Sequence, residues 1–173
     1  FVGLVAAGVV PVVLIANGWA YLGWVGFCVV LAVVDLALAA SPRAAVLERS
    51  GDERVRLTES GRATLYVTNP SRRTLRGIVR DAWEPSAGAT PRRQRLLVPP
   101  GERRAVTTTL TPWRRGERRA AMVTIRAIGP MRLAGRQASI LMPGTVRVLP
   151  EFASRRHLPS RLAHLRELDG RTS

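Results

Sequence analysis

The sequence predicts a transmembrane helical hairpin followed by an all-β, Ig-like antiparallel sandwich and a short C-terminal helix. Three observations carry this. The first 40 of the 173 residues hold no basic residue and one acid, Asp35. From Ala44 to Pro150, short alternating runs are cut by Gly, Pro, Asn and Ser, the pattern of a β-sandwich. After Pro150 the apolar spacing lengthens toward that of a helix. The chain therefore divides into a hairpin at 1–41, a sandwich at 42–150, and a linker with a short helix at 151–173.

Gly18 to Ala40 is almost wholly uncharged. At about 1.5 Å per residue such a helix crosses a hydrocarbon core of about 30 Å. Phe1 to Ala16 is equally apolar but short, is interrupted by Pro11, and opens on Phe, which predicts a first membrane helix with its N-terminal flank cut off. A signal peptide competes with this reading, but the basic n-region is missing and a second long span follows at once. Ala16-Asn17-Gly18 would turn the hairpin, with Trp19, Tyr21 and Trp24 in the interfacial aromatic belt.

Charge sets the orientation. All 27 basic residues are Arg and all follow residue 40, whereas the hairpin turn has none. Arg43, Arg49, Arg54 and Arg56 come soon after the second span, and basic residues beside a span end stay on the cytoplasmic side. The sequence thus predicts a membrane protein with its polar part in the cytoplasm. Asp35 lies about one and a half turns inside the end of the span. An intramembrane acid is a functional hypothesis by default. Its plainer reading is a carboxylate that reaches headgroup water or pairs with Arg43.

The polar part is large enough for one core and too small for two. Seven to nine strands are expected from the runs Val46 to Arg49, Arg54 to Leu57, Ala63 to Thr68, Leu75 to Ala82, Arg95 to Val98, Ala105 to Thr111, Ala120 to Ala127, Leu133 to Leu141 and Thr145 to Leu149. Ala63, Leu65 and Val67 alternate with Thr64, Tyr66 and Thr68 before Asn69-Pro70-Ser71 stops the run. Near the end, Leu158, Leu162, Leu165 and Leu168 fall on one face of a helix that Pro159 and Ser160 start and Gly170 stops.

Searches for chemistry find little. The chain has no G-x-S-x-G elbow, no phosphate-cradling glycine loop and no metal-spaced cysteines, and Cys28 is its sole cysteine. His157 and His164 have no acid pair beside them and read as surface or packing residues. Asp81 and Glu84 flank Trp83, but general acid–base work needs an enclosed pocket that holds two carboxyls in different states. The expectation is a non-enzyme that takes no cofactor or metal.

One feature stands above background, the turn Trp113-Arg114-Arg115-Gly116-Glu117-Arg118-Arg119. Arg114, Arg115, Arg118 and Arg119 would present guanidinium forks suited to carboxylates or phosphates. A solvated turn in an Arg-biased coding context accounts for it equally well. Basic charge also suits nucleic acid, yet aromatics are scarce among the basic residues and stacking platforms need them. Nucleic acid is therefore a disfavoured partner. A basic module binding anionic lipid or nucleic acid through this turn is the alternative function.

The order of several short motifs carries a resemblance. After the apolar segment come Leu65-Tyr66-Val67-Thr68-Asn69-Pro70, Arg80-Asp81-Ala82-Trp83-Glu84-Pro85, Val98-Pro99-Pro100-Gly101-Glu102, Arg114-Arg115-Gly116, Gly129-Pro130-Met131-Arg132-Leu133 and Val146-Arg147-Val148-Leu149-Pro150. Together they resemble the N-terminal half of the bacterial "domain of unknown function 58" family. The resemblance implies a membrane hairpin and sandwich placed ahead of a cytoplasmic domain similar to von Willebrand factor A, and association with a MoxR-type AAA+ ATPase. It implies a non-catalytic scaffold or adaptor in contact with the bilayer. Two departures stand out: Met131-Arg132-Leu133 replaces the family's Pro-x-Gly-Leu turn, and the chain ends before any metal-ion-dependent adhesion site, so no metal ligand carries over.

Overall fold

Helix α1, Gly18–Leu38, opens the computed structural model, which describes residues 18–151 together with Gly3 and Ala7. It is 21 residues of uninterrupted helix, long and apolar enough to cross a membrane. Trp19, Leu22, Phe27, Val30 and Val33 along it are exposed. An apolar side chain of that size loses about 1.5–3 kcal/mol when left in water.

Among the described residues this is one long helix, and the helical hairpin predicted from the sequence is corrected to a single helix. Pro11 interrupts the apolar stretch that precedes it, and proline withholds the N–H that a continuous helix needs there. The helix predicted from Pro159 to Gly170 lies outside the described residues.

A 3-10 turn at Pro42–Ala44 redirects the chain from α1 into the first strand. Nine strands follow: β1 Val46–Gly51, β2 Arg54–Arg56, β3 Gly61–Thr68, β4 Leu75–Trp83, β5 Ala89–Thr90, β6 Gln94–Val98, β7 Arg103–Leu110, β8 Gly116–Ile128 and β9 Gly135–Leu149. They form two sheets, a four-stranded one in the order β1-β3-β7-β5 and a five-stranded one in the order β2-β9-β8-β4-β6.

The all-antiparallel expectation also needs correction, because β2 runs parallel to β9, with Arg54 opposite Arg147 and Arg56 opposite Leu149. The reason is topological. The chain leaves β1 in the first sheet, keeps its heading, and joins the second sheet beside a strand that points the same way. Glu53 accepts the Arg147 N–H at 2.8 Å and Leu57 donates to Leu149 at 3.1 Å, so both ends of the short parallel strand are pinned.

Alternation produces the core as predicted. Gly61, Ala63, Leu65 and Val67 on β3 are buried, and their neighbours face outward. One cluster joins Leu65, Val67, Leu75, Val79, Leu96, Val98, Val123 and Ile125, and Ala40 from the end of the helix packs into it. A second gathers Val55, Ala63, Ala87, Leu110 and Val146, with Trp83 against it. The sandwich has two poles. Antiparallel pairing of β1 with β3, β4 with β8 and β8 with β9 places residues 41–45, 69–74 and 129–134 together at the helix end. The turn at 111–116 closes the opposite end.

Candidate functional site: the helix–sandwich junction

The turn between β8 and β9 runs from Gly129 to Ala134 and folds back on itself. Gly129 donates to the Ala134 carbonyl at 3.0 Å, and Arg132 donates to the Gly129 carbonyl at 3.1 Å. Arg132 sits at φ 60°, the left-handed region that a non-glycine residue enters only when its surroundings hold it there. The fold leaves the N–H groups of Met131, Leu133 and Ala134 pointing inward without backbone partners.

Asp35 supplies those partners. Its Oδ1 accepts from Met131 at 2.7 Å, and its Oδ2 accepts from Leu133 at 2.7 Å and Ala134 at 2.8 Å. The residue is 0 % exposed. A carboxylate facing three converging N–H donors forms charge-assisted bonds, about twice as strong as neutral ones. Gly129 permits the approach, since a side chain there would overlap the Asp35 carboxyl group. The plainer sequence reading of Asp35 as solvated by headgroup water or paired with Arg43 is thus replaced by a structural one.

A second tie reinforces the first. Arg73 donates to the carbonyl of Ala37 in the last turn of α1, where unpaired carbonyls concentrate partial negative charge. Buried Asn69 fixes the loop that presents Arg73. Its amide donates to the carbonyls of Arg73 at 2.8 Å and Val98 at 2.9 Å, and its Oδ1 accepts from the Ser71 N–H and hydroxyl. The stop signal Asn69-Pro70-Ser71 is therefore also a bracket for the helix.

The four arginines that follow the helix in sequence separate in space. Arg43 stays beside the helix end and is exposed. Arg49 turns inward, forming a salt bridge with Asp81, donating to the Met142 carbonyl at 2.6 Å and lying 5.4 Å from the Trp83 ring centroid. Trp83 donates to the other Asp81 oxygen at 2.7 Å. This node bridges the two sheets, and Asp81 and Arg49 are nearly buried, at 6 % and 10 % side-chain exposure. Arg54 and Arg56 lie on β2 at the far end of β9, with Arg56 3.9 Å from Glu59.

The Arg-rich turn divides as well. Arg118 is half-buried, donating to Ser86 Oγ at 2.7 Å and approaching Glu84 at 3.6 Å, while Arg119 meets Glu117 at 3.2 Å. Arg114 and Arg115 are exposed. The turn caps the start of β8, whose 13 residues end beside the Asp35 clasp. At about 3.3 Å per residue, roughly 40 Å of strand separates the turn from the helix.

What the sequence reading missed are the arginines that the fold gathers at the helix end. Arg73, Arg76, Arg132 and Arg136 lie there with Arg43, all exposed. The signal was available in part. Once β4 is paired with β8, and β8 with β9, the arginines flanking Thr74 and Gly135 must share the pole of the Gly129-Pro130 turn.

No family model matches the chain, and no curated protein matches it. Among solved structures, the CARDB domain of a Pyrococcus furiosus protein, described in complex with di-metal ions, aligns at 16% identity over 62% of this chain and 94% of its own, with a TM-score of 0.42. A β-glucosidase from Listeria innocua aligns at 14% identity and TM-score 0.42, and one from Erythrobacter marinus at 17% and 0.36. The matches cover 64% and 61% of this chain and 16% of each glucosidase. Among the described residues, no three His, Cys, Asp or Glu side chains group as metal ligands.

Proposed function

We propose that this chain is the membrane-anchored scaffold segment of a larger assembly, in which α1 lies in the bacterial inner membrane and the sandwich holds a following cytoplasmic domain at a set position. The clasp of Asp35 on the Met131–Ala134 turn carries the reading. A signal sequence is cut away, and its removal here would leave three N–H groups of the sandwich without acceptors. A helix that completes the hydrogen bonding of the domain is built to remain. The arginines at the helix end favour a cytoplasmic sandwich, since basic residues close to a span end are retained inside.

The resemblance to the domain of unknown function 58 family names the rest: a von Willebrand A-like domain downstream and a MoxR-type AAA+ ATPase as partner. Binding of anionic lipid through the Arg114 to Arg119 turn has less support. That turn sits at the pole away from α1, and two of its four arginines are engaged by Glu84, Ser86 and Glu117.

Alkaline extraction and protease treatment of inverted vesicles test the anchor and its orientation together. The chain is expected to stay in the membrane pellet and residues 44–151 to be digested from the cytoplasmic face. Release as a soluble product cleaved before the sandwich, or protection of the sandwich, would defeat the reading. Failure to co-purify an AAA+ ATPase with the full-length protein under nucleotide trapping would remove the partner alone.

A further inference from the structure

We propose that the helix–sandwich junction binds the headgroups of anionic phospholipids, an inference that rests on α1 lying in a bilayer. Two hollows flank the end of the helix. One, of about 410 Å³, is lined by Leu36, Arg43 and Arg136. The other, of about 350 Å³, is lined by Leu38, Arg73 and Arg76. Each sets two arginines against a leucine of α1.

That combination suits one kind of ligand. Guanidinium forks grip phosphate oxygens bidentately. The leucines continue the exposed apolar surface of the helix, where an acyl chain attached to the same phosphate would lie. Inorganic phosphate would gain nothing from that wall, and a nucleic acid cannot follow it into hydrocarbon. Local acids do not compete. Asp35 is committed to the β8–β9 turn, Glu48 to Arg103 at 2.6 Å and Glu102 to Arg104 at 2.6 Å. None of the salt bridges among the described residues involves Arg43, Arg73, Arg76 or Arg136.

The geometry also places the groups at the right depth. Asp35 and Ala37 belong to the last turn of the helix, and the sandwich residues bonded to them meet the span where hydrocarbon gives way to headgroups. A basic residue held at an anionic surface favours it roughly fivefold.

The test reconstitutes the whole chain in bilayers of mixed phosphatidylcholine and phosphatidylglycerol and counts the lipids retained by native mass spectrometry. The wild-type chain is expected to retain phosphatidylglycerol at least fivefold over its share of the bilayer, and millimolar inorganic phosphate should not displace it. Arg43→Gln/Arg136→Gln and Arg76→Gln should each cut the enrichment severalfold, whereas Arg114→Gln/Arg115→Gln should leave it intact. Arg73 is not substituted, because it also holds the helix. Enrichment that is absent in the wild type, that survives all the junction substitutions, or that inorganic phosphate abolishes would overturn the proposal. A chain that inserts but shows no enrichment defeats this inference only. One that fails to insert defeats the anchoring with it.

Discussion

Asp35 Oδ2 accepts the backbone N–H of Leu133 at 2.7 Å, joining the membrane-length helix to a strand connection 98 positions later. With its bonds to Met131 and Ala134, one side chain ends the helix region and shapes a turn of the sandwich. Removing it strands three inward-facing donors. Asp35→Ala should therefore destabilise the fold by about 3 kcal/mol or more, at 1 kcal/mol or above for each donor left unpaired. Asp35→Asn, with one acceptor oxygen, should recover part of that loss. Denaturant unfolding in detergent measures the size, and faster amide exchange at Met131, Leu133 and Ala134 would show that the loss is local. Unchanged exchange in Asp35→Ala would contradict the clasp.

Arg132 offers the opposite sign. At φ 60° a glycine replaces it without the steric cost of a side chain in left-handed backbone. Arg132→Gly should raise stability by about 1 kcal/mol, reduced by the extra freedom glycine has when unfolded. A thermal melt of the two proteins side by side decides it, and a lower midpoint for the glycine variant would count against the strain.

The Arg49–Asp81 pair should behave as a buried ion pair. Breaking it from one side, by Arg49→Met or Asp81→Leu, should cost about 3–5 kcal/mol, because the remaining charge loses its partner in a nearly dry site. The double variant should be far less damaged than the sum of the two. A double-mutant cycle on denaturant midpoints tests this, and simple additivity would refute it.

The Arg-rich turn should split into two classes. Arg118→Ala removes contacts to Ser86 and Glu84 and should destabilise by about 1–2 kcal/mol. Arg114→Ala and Arg115→Ala should stay within about 0.5 kcal/mol of the parent, as exposed substitutions usually do. Equal effects at Arg114 and Arg118 would show that the turn is packed differently.

Sequence periodicity went far with local structure. Ala63, Leu65 and Val67 announce a half-buried strand because alternation along a strand is alternation in space. It faltered where pairing decides. Pro143-Gly144 reads as a break between two strands, yet β9 passes through it, and the register with β8 shifts opposite, between Ala120 and Met122. The two-residue β5 is too short to show a period and exists because Ala89 and Thr90 meet Leu110 and Thr109. The parallel β2 depends on a sheet change that no residue announces.

The junction was least legible, for a related reason. Counting along the chain from the helix puts Arg49, Arg54 and Arg56 near its end, but distance along a strand is distance away from it. Arg132 and Arg136 are 97 and 101 positions from Asp35 and still lie at the same end of the helix. Asp35 itself was marked as unusual, because a carboxylate in an apolar run needs a partner. What it partners is a set of backbone donors, and backbone donors leave no trace in residue identity.

The absence of a loose tether between α1 and the sandwich has a mechanical consequence. With Ala40 packed in the core, Arg73 on Ala37 and Asp35 on the β8–β9 turn, helix and domain are joined as one lever, whose fulcrum under the proposed anchoring is the headgroup layer. Transmembrane helices lean by about 20° on average, and with a rigid arm of roughly 40 Å beyond the fulcrum, any change in lean becomes a sideways sweep of the Arg114 pole. Bilayer thickness would thereby steer where the far end of the domain points.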